Sequence, residues 1–176
     1  MTVPTRDEAI AMLEEGQSAI QALFEELSDQ EMTRPATIGG GDWSAKDLMG
    51  HIAFWEELAA EALSDSRAGR RPGVLQIFDK NQEGVDEANA QNQMRTATQS
   101  LEQVRCRADA AYAVILEAIG SMSDDEWQAN VFNPNARVST LAELLGGVLG
   151  APRRPFGHVF AHLPDLEAYV NSLERR

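Results

Sequence analysis

Apolar residues recur at intervals of three, four and seven through the long segments of this chain, and no useful stretch alternates polar with apolar. A strand needs that alternation to bury one face, whereas the longer spacing lays a stripe along one side of a helix. The chain is therefore expected to be all-α. Residues 7–27 carry the first stripe, Ile10, Leu13, Ile20, Phe24 and Leu27, with Glu15, Ser18, Glu25 and Glu26 on the opposite face. This helix should end before Met32-Thr33-Arg34-Pro35, and Ile38-Gly39-Gly40-Gly41 reads as a loop because glycines offer nothing to pack.

A second helix opens at Ser44, with Asp47 in the place where a capping box has Glu or Gln. Its inward face is Leu48, Ile52, Trp55, Ala59, Ala62 and Leu63, and it should fray near Ala68-Gly69. Residues 69–80 read as an ordered crossover, since Val74, Leu75, Ile77 and Phe78 need something to pack against. The polar residues 81–92 lead into the strongest stripe, Leu101, Val104, Ala108, Ala111, Ile115 and Ile119, a third helix closed by Gly120. Ser123 and Glu126 make an S-x-x-E pair for a short helix around Trp127, ahead of the turn-rich Phe132-Asn133-Pro134-Asn135. Residues 140–149 form another helical piece, and a last helix starts near Ala151-Pro152 with Val159, Leu163, Leu166, Val170 and Leu173 inward. The whole predicts a four-helix bundle with long crossover connections, one domain over residues 1–176.

Acidic residues number 28 against 15 basic, a net charge of −13, so a phosphate backbone or an anionic membrane would be repelled. The basic pairs Arg70-Arg71, Arg153-Arg154 and Arg175-Arg176 are too short for a binding stripe. No nucleic-acid or membrane partner is expected. Neither a signal-like start nor an apolar run of the ~20 residues that span a bilayer is present, and a cytoplasmic location is expected. The single cysteine, Cys106, has no partner for an internal disulfide and leaves no thiolate cluster for a metal. It falls off the main stripe and reads as an inert small residue. Any metal must rest on histidine and carboxylate.

The chain has three histidines. His158 and His162 stand four apart, one turn above the other on one side of a helix, and each precedes a member of the Val159 and Leu163 stripe, at the edge of the buried face. His51 lies between Leu48 and Ile52 and four residues before Trp55, also inward. The alternative is that they are hydrogen-bonded core histidines. Pro164 either kinks the last helix, having no amide for the carbonyl of Phe160, or begins a new helical piece with Asp165 in its first turn.

The segments Trp43-Ser44-Ala45-Lys46-Asp47-Leu48-Met49-Gly50-His51-Ile52-Ala53-Phe54-Trp55 and Gly157-His158-Val159-Phe160-Ala161-His162 resemble the W-S-x-K-D-L-x-x-H-x-x-x-W and late H-x-x-x-H patterns of the DinB/YfiT-like superfamily of bacterial helical bundles. Within it, Val3-Pro4-Thr5-Arg6-Asp7-Glu8 and Asp79-Lys80-Asn81 are similar to the ClbS/DfsB-like branch. The resemblance implies a divalent ion, nickel or zinc, on His51, His158 and His162 with open positions for water. It further implies either thiol-dependent transfer or isomerisation, with mycothiol, bacillithiol or glutathione as co-substrate, or a small-molecule resistance protein of the ClbS kind, in which the histidines only shape a pocket. Homodimers are common in the superfamily.

Three neutral imidazoles leave a vacant position on an ion, the arrangement of a catalytic rather than a structural site. An ion so held lowers the pKa of a water or small thiol, which suits hydrolysis or thiol transfer to a small electrophile. Trp55 either walls a substrate pocket or belongs to the core, and Asn81 either orients a ligand or caps a helix. Asp42, Asp47 and Glu56 are candidates to fix a histidine tautomer, although on so acidic a chain a solvated carboxylate is the simpler reading of each.

Overall fold

The computed structural model describes residues 3–131 and 140–173. The expected turn at Phe132-Asn133-Pro134-Asn135 and the pair Arg175-Arg176 lie outside the described residues. Among those described, the regular structure is entirely helical: α1 Arg6–Glu25, α2 Asp29–Met32, α3 Ala45–Arg67, α4 Val74–Asp79, α5 Asn81–Ala97, α6 Leu101–Gly120, α7 Asp124–Trp127, α8 Leu141–Val148 and α9 His158–Leu173.

Reciprocal capping decides where most of these helices begin. At Thr5/Glu8, Ser28/Glu31, Ser44/Asp47, Ser100/Gln103 and Thr140/Glu143, the hydroxyl takes the backbone N–H three residues on, and the later side chain accepts the cap's own N–H. Two orphan donors are satisfied at each start. The aspartate at position 47 serves fully in this role, accepting from the Ser44 amide at 2.9 Å and from its hydroxyl at 2.6 Å. Ser44 is 3% exposed. Ser44→Ala is expected to cost about 1–2 kcal/mol, read as a fall in the urea midpoint.

Helices α1, α3, α6 and α9 form the bundle, and α5, as long as α9, packs against α3. α3 packs along α6, α1 lies against both α9 and α6, and α3 touches α9. One apolar cluster gathers Leu13, Trp55, Ile115, Leu145 and Phe156, and the other Ile20, Phe24, Leu48, Val104 and Leu166. Each such side chain contributes about 1.5–3 kcal/mol through burial, so the expected stripes account for much of the core. Gly16 lets α1 approach α9 closely, for a Cβ there would stand 3.3 Å from that of Val159.

The connections depart from expectation in four places, the first being the short α2 after the first long helix. The crossover contains α4, and residues 81–92 do not run on into the third long helix. They belong to α5, which ends at Ala97 because Ser100 and Gln103 cap a new start. At the α4–α5 corner Asn81 adopts a left-handed φ of 55°, which asparagine tolerates better than most residues, and Gly84 sits so close to the Ile77 carbonyl that no Cβ fits. The last helix begins at His158 rather than at Ala151-Pro152. Paired bonds between Ala151 and Arg154, both 2.9 Å, fold the intervening residues into a tight turn, and the His158 amide donates back to the Leu149 carbonyl at 3.0 Å. Beyond it α9 continues through Pro164, which is exposed on the outer side, so no new helical piece starts there.

Candidate metal centre

His51 stands two turns into α3 on the side shared with Leu48, Ile52 and Trp55, and is 5% exposed. His158 and His162 occupy the first two turns of α9. A first helical residue ordinarily frays, but the bond from the His158 amide to Leu149 and the turn before it fix where α9 starts. The three imidazoles meet.

The Nε2 atom of His158 lies 3.0 Å from that of His51 and 3.2 Å from that of His162. The rings are steeply inclined, at 62°, 85° and 78° to one another, with centroids 4.9 to 5.0 Å apart, so they are arranged around a point and not stacked. A shared proton accounts for one pair of nitrogens and leaves the third without a donor. An ion bonded at about 2.0–2.1 Å separates two ligand nitrogens by about 2.9 Å at a right angle and about 3.3 Å at the tetrahedral angle, which brackets both distances. The cluster can hold a divalent ion.

Electrostatics favour the form that ligates. Burial, helped by the nearby His162, pushes the His51 pKa down to about 3. Burial likewise lowers His158 well below the usual imidazole range, with both other histidines adding to it. His162 is lowered by burial although Asp165 pulls the other way. All three are therefore neutral at pH 7, with lone pairs free for an ion.

The cluster opens into a cavity of about 840 Å³. Trp55 is both core and wall: it is 4% exposed, lines the cavity, stacks on Phe78 at 6.3 Å with 9° between planes, and donates from Nε1 to Asn89 Oδ1 at 3.1 Å. Gln82, Asn89, Glu143 and Arg154 supply the polar lining, and the Arg154 guanidinium lies 3.7 Å over the Phe160 ring.

Asn81, read as orienting a ligand or capping a helix, is exposed at the α4–α5 corner as the first residue of α5 and is absent from this lining. Its place is taken by Gln82, Val85 and Asn89, one face of α5. Those residues stand at i, i+3 and i+7, a spacing hidden in a helix so polar that its apolar stripe is nearly absent. Arg154 and Glu143 were also not singled out: Thr140 and Glu143 make a capping box readable in the sequence, but that they face this cavity, like the turn that aims Arg154, is visible only once α8 and α9 are docked.

None of the three carboxylates considered as histidine partners serves that role directly. Asp47 caps α3, Asp42 is exposed, and His51 Nδ1 is buried without a hydrogen bond among the described residues. Glu56, expected to be solvated, is instead 4% exposed. Cys106 is exposed on α6.

A family model described as the DinB superfamily matches residues 12–150. The chain belongs to that superfamily. Among solved structures, an uncharacterised protein from Escherichia coli UTI89 superposes with a TM-score of 0.77 at 13% identity, over 98% of this chain and 96% of that one. A mycothiol-dependent maleylpyruvate isomerase superposes with a TM-score of 0.66 at 17% identity, over 94% of this chain and 63% of that one. Identities this low establish the DinB-like fold and nothing finer. No curated protein matches the sequence. Among the described residues of this DinB-like chain, no helix is long and apolar enough to cross a membrane.

Proposed function

We propose that this protein is a divalent-metal-dependent enzyme that joins a low-molecular-weight thiol to a small electrophile, or rearranges the electrophile through that thiol. The observation that carries the reading is the convergence of the three Nε2 atoms on one point at the inner end of an 840 Å³ cavity. A divalent ion there supplies Lewis acidity, lowering the pKa of a thiol or water to near neutrality.

The residues around the cluster divide the remaining work. Among the described residues the cavity lining contains no cysteine, serine, threonine, lysine or tyrosine, so on this reading the attacking group comes from a co-substrate or from water. Cys106, exposed on α6, is not part of it. Trp55 and Phe78 exclude water along one wall and offer a flat apolar surface to the electrophile. Arg154 is the cation among the described residues of the lining and draws a carboxylate or other anionic group of the substrate, while Asn89 and Gln82 orient its polar edge. The likeness in fold to a mycothiol-dependent isomerase is consistent with a thiol as the second reactant.

The test is turnover by protein reconstituted with nickel, zinc or manganese, using glutathione, mycothiol or bacillithiol with a panel of small α,β-unsaturated and epoxide electrophiles. Thiol-dependent conversion should disappear on chelation and fall by at least about a hundred-fold in His51→Ala. Conversion that survives both treatments, or a complete absence of thiol consumption and hydrolysis with every ion, would rule the reading out.

A further inference from the structure

On the side of α3 turned toward α1 and α6 lies a second cavity of about 250 Å³. Ile20, Phe24, Met49, Ile52 and Ala108 provide its apolar wall, and Glu56 belongs to its lining. Glu56 is the one carboxylate among the described residues that is buried in the core, at 4% exposed. No hydrogen bond or ion pair to it is found among the described residues. Leaving a carboxyl buried without a partner is costly, and such groups are normally satisfied by something.

The amide side chains of the lining, Gln17 and Gln21, make no hydrogen bond to Glu56 among the described residues, Gln21 being turned to Glu25. Arg105, the one basic group in the lining, is paired with Asp29 at 2.9 Å, and the remaining charged groups there, Glu25 and Asp109, are acidic. The potential inside is therefore negative, with an apolar wall. An apolar cavity of about 150 Å³ is already large enough to admit benzene, so this one has room for a single ring and a short polar arm.

We propose that this cavity is a second ligand site, separate from the histidine-lined one, and that it takes a primary amine on a compact apolar body, with the nitrogen on the Glu56 carboxyl. The apolar body rests against Phe24, Met49 and Ile52, and the nitrogen supplies the hydrogen bonds that the protein does not. Selectivity follows from the same features. An anion meets three carboxyl groups, and a neutral ligand of equal shape satisfies Glu56 with fewer donors.

Benzylamine is the probe, with benzyl alcohol as its neutral counterpart, titrated at pH 8 into the full chain while the backbone and methyl resonances of Met49, Ile52 and Ala108 are followed by NMR. Benzylamine should shift these resonances and bind at least about ten-fold more tightly than benzyl alcohol, equally in zinc-loaded and chelated protein. Glu56→Gln and the cavity-filling Ala108→Leu should each weaken it by about ten-fold or more, by separate routes. Equal affinity for amine and alcohol, or unchanged affinity in Glu56→Gln, would overturn the assignment. So would silence toward benzylamine combined with a loss of zinc affinity in Glu56→Gln, since Glu56 and His158 also border a small void in common and the carboxyl would then be serving the histidine.

Discussion

His158→Ala is expected to weaken divalent-ion binding by more than about a hundred-fold, beyond what loss of a supporting hydrogen bond around a metal ligand costs. The geometry singles out this histidine. Its Nε2 is the vertex from which the other two lie 3.0 and 3.2 Å away, so its removal takes away both short contacts at once. The variant should keep its helical content, because the His158 amide, which holds the start of α9 to Leu149, is untouched. Metal content by mass spectrometry on untagged protein, with a competition titration against a chelator of known affinity, measures the effect. Natural protein should carry near-stoichiometric nickel, zinc or manganese and the variant almost none. Equal metal in both would mean that the ion sits elsewhere.

A second large effect concerns stability and pH. Burial, reinforced by the charge on Glu57, pushes the Glu56 pKa up to about 8 from an ordinary value of 4.5. Between those values the folded protein holds a proton that the unfolded chain has lost. Stability therefore falls as pH rises through this window, and levels off above it. Glutamine has the same shape and no proton to lose, so Glu56→Gln should gain on the natural protein by an amount of order 4 kcal/mol between pH 4.5 and pH 9.

The surroundings on every side support this direction. Arg95 and Arg107 are engaged with Glu57, at 3.1 and 2.7 Å. From α6, Tyr112 is raised by its burial, with the charges of Glu14 and Glu56 adding to it, while Asp109 shares the cavity lining and Arg105 is held by Asp29. From α1 come Gln17, Gln21 and the acidic Glu25. Urea unfolding of both proteins at pH 5, 7 and 9 gives the difference directly. Parallel profiles would show that the carboxyl is ionised in the folded state.

The parts of this protein that follow from one helix at a time were legible in its sequence. The stripes of α1, α3, α6 and α9 needed no knowledge of their neighbours, and the positions of His51 on the α3 stripe and of His158 and His162 at the edge of the α9 stripe were enough to bring three rings together. The placement of Glu56 was not legible, because a carboxylate next to another carboxylate reads as solvated until α1 and α6 are seen to cover it. The role of α5 was concealed for the opposite reason. Its residues are polar enough for solvent, yet Asn92 is buried, donating to the Gly50 carbonyl and accepting from Arg107. Short helices such as α2 announce themselves by their caps alone, so Ser28 and Glu31 were the signal for it, and an apolar stripe was the wrong thing to look for.

Gly16 contributes no atom to the histidine cluster, yet it lies against the helix that carries two of its three rings. It sits where α1 meets α9 one residue past His158, and the missing side chain sets how far α9 may settle toward the bundle axis. A few tenths of an ångström there equal the difference between the nitrogen spacing of a six-coordinate ion and that of a four-coordinate one. On the metal reading proposed above, a helix that supplies no ligand thus helps to set the spacing of the ligand nitrogens, and a larger residue at position 16 would reset that gauge from behind.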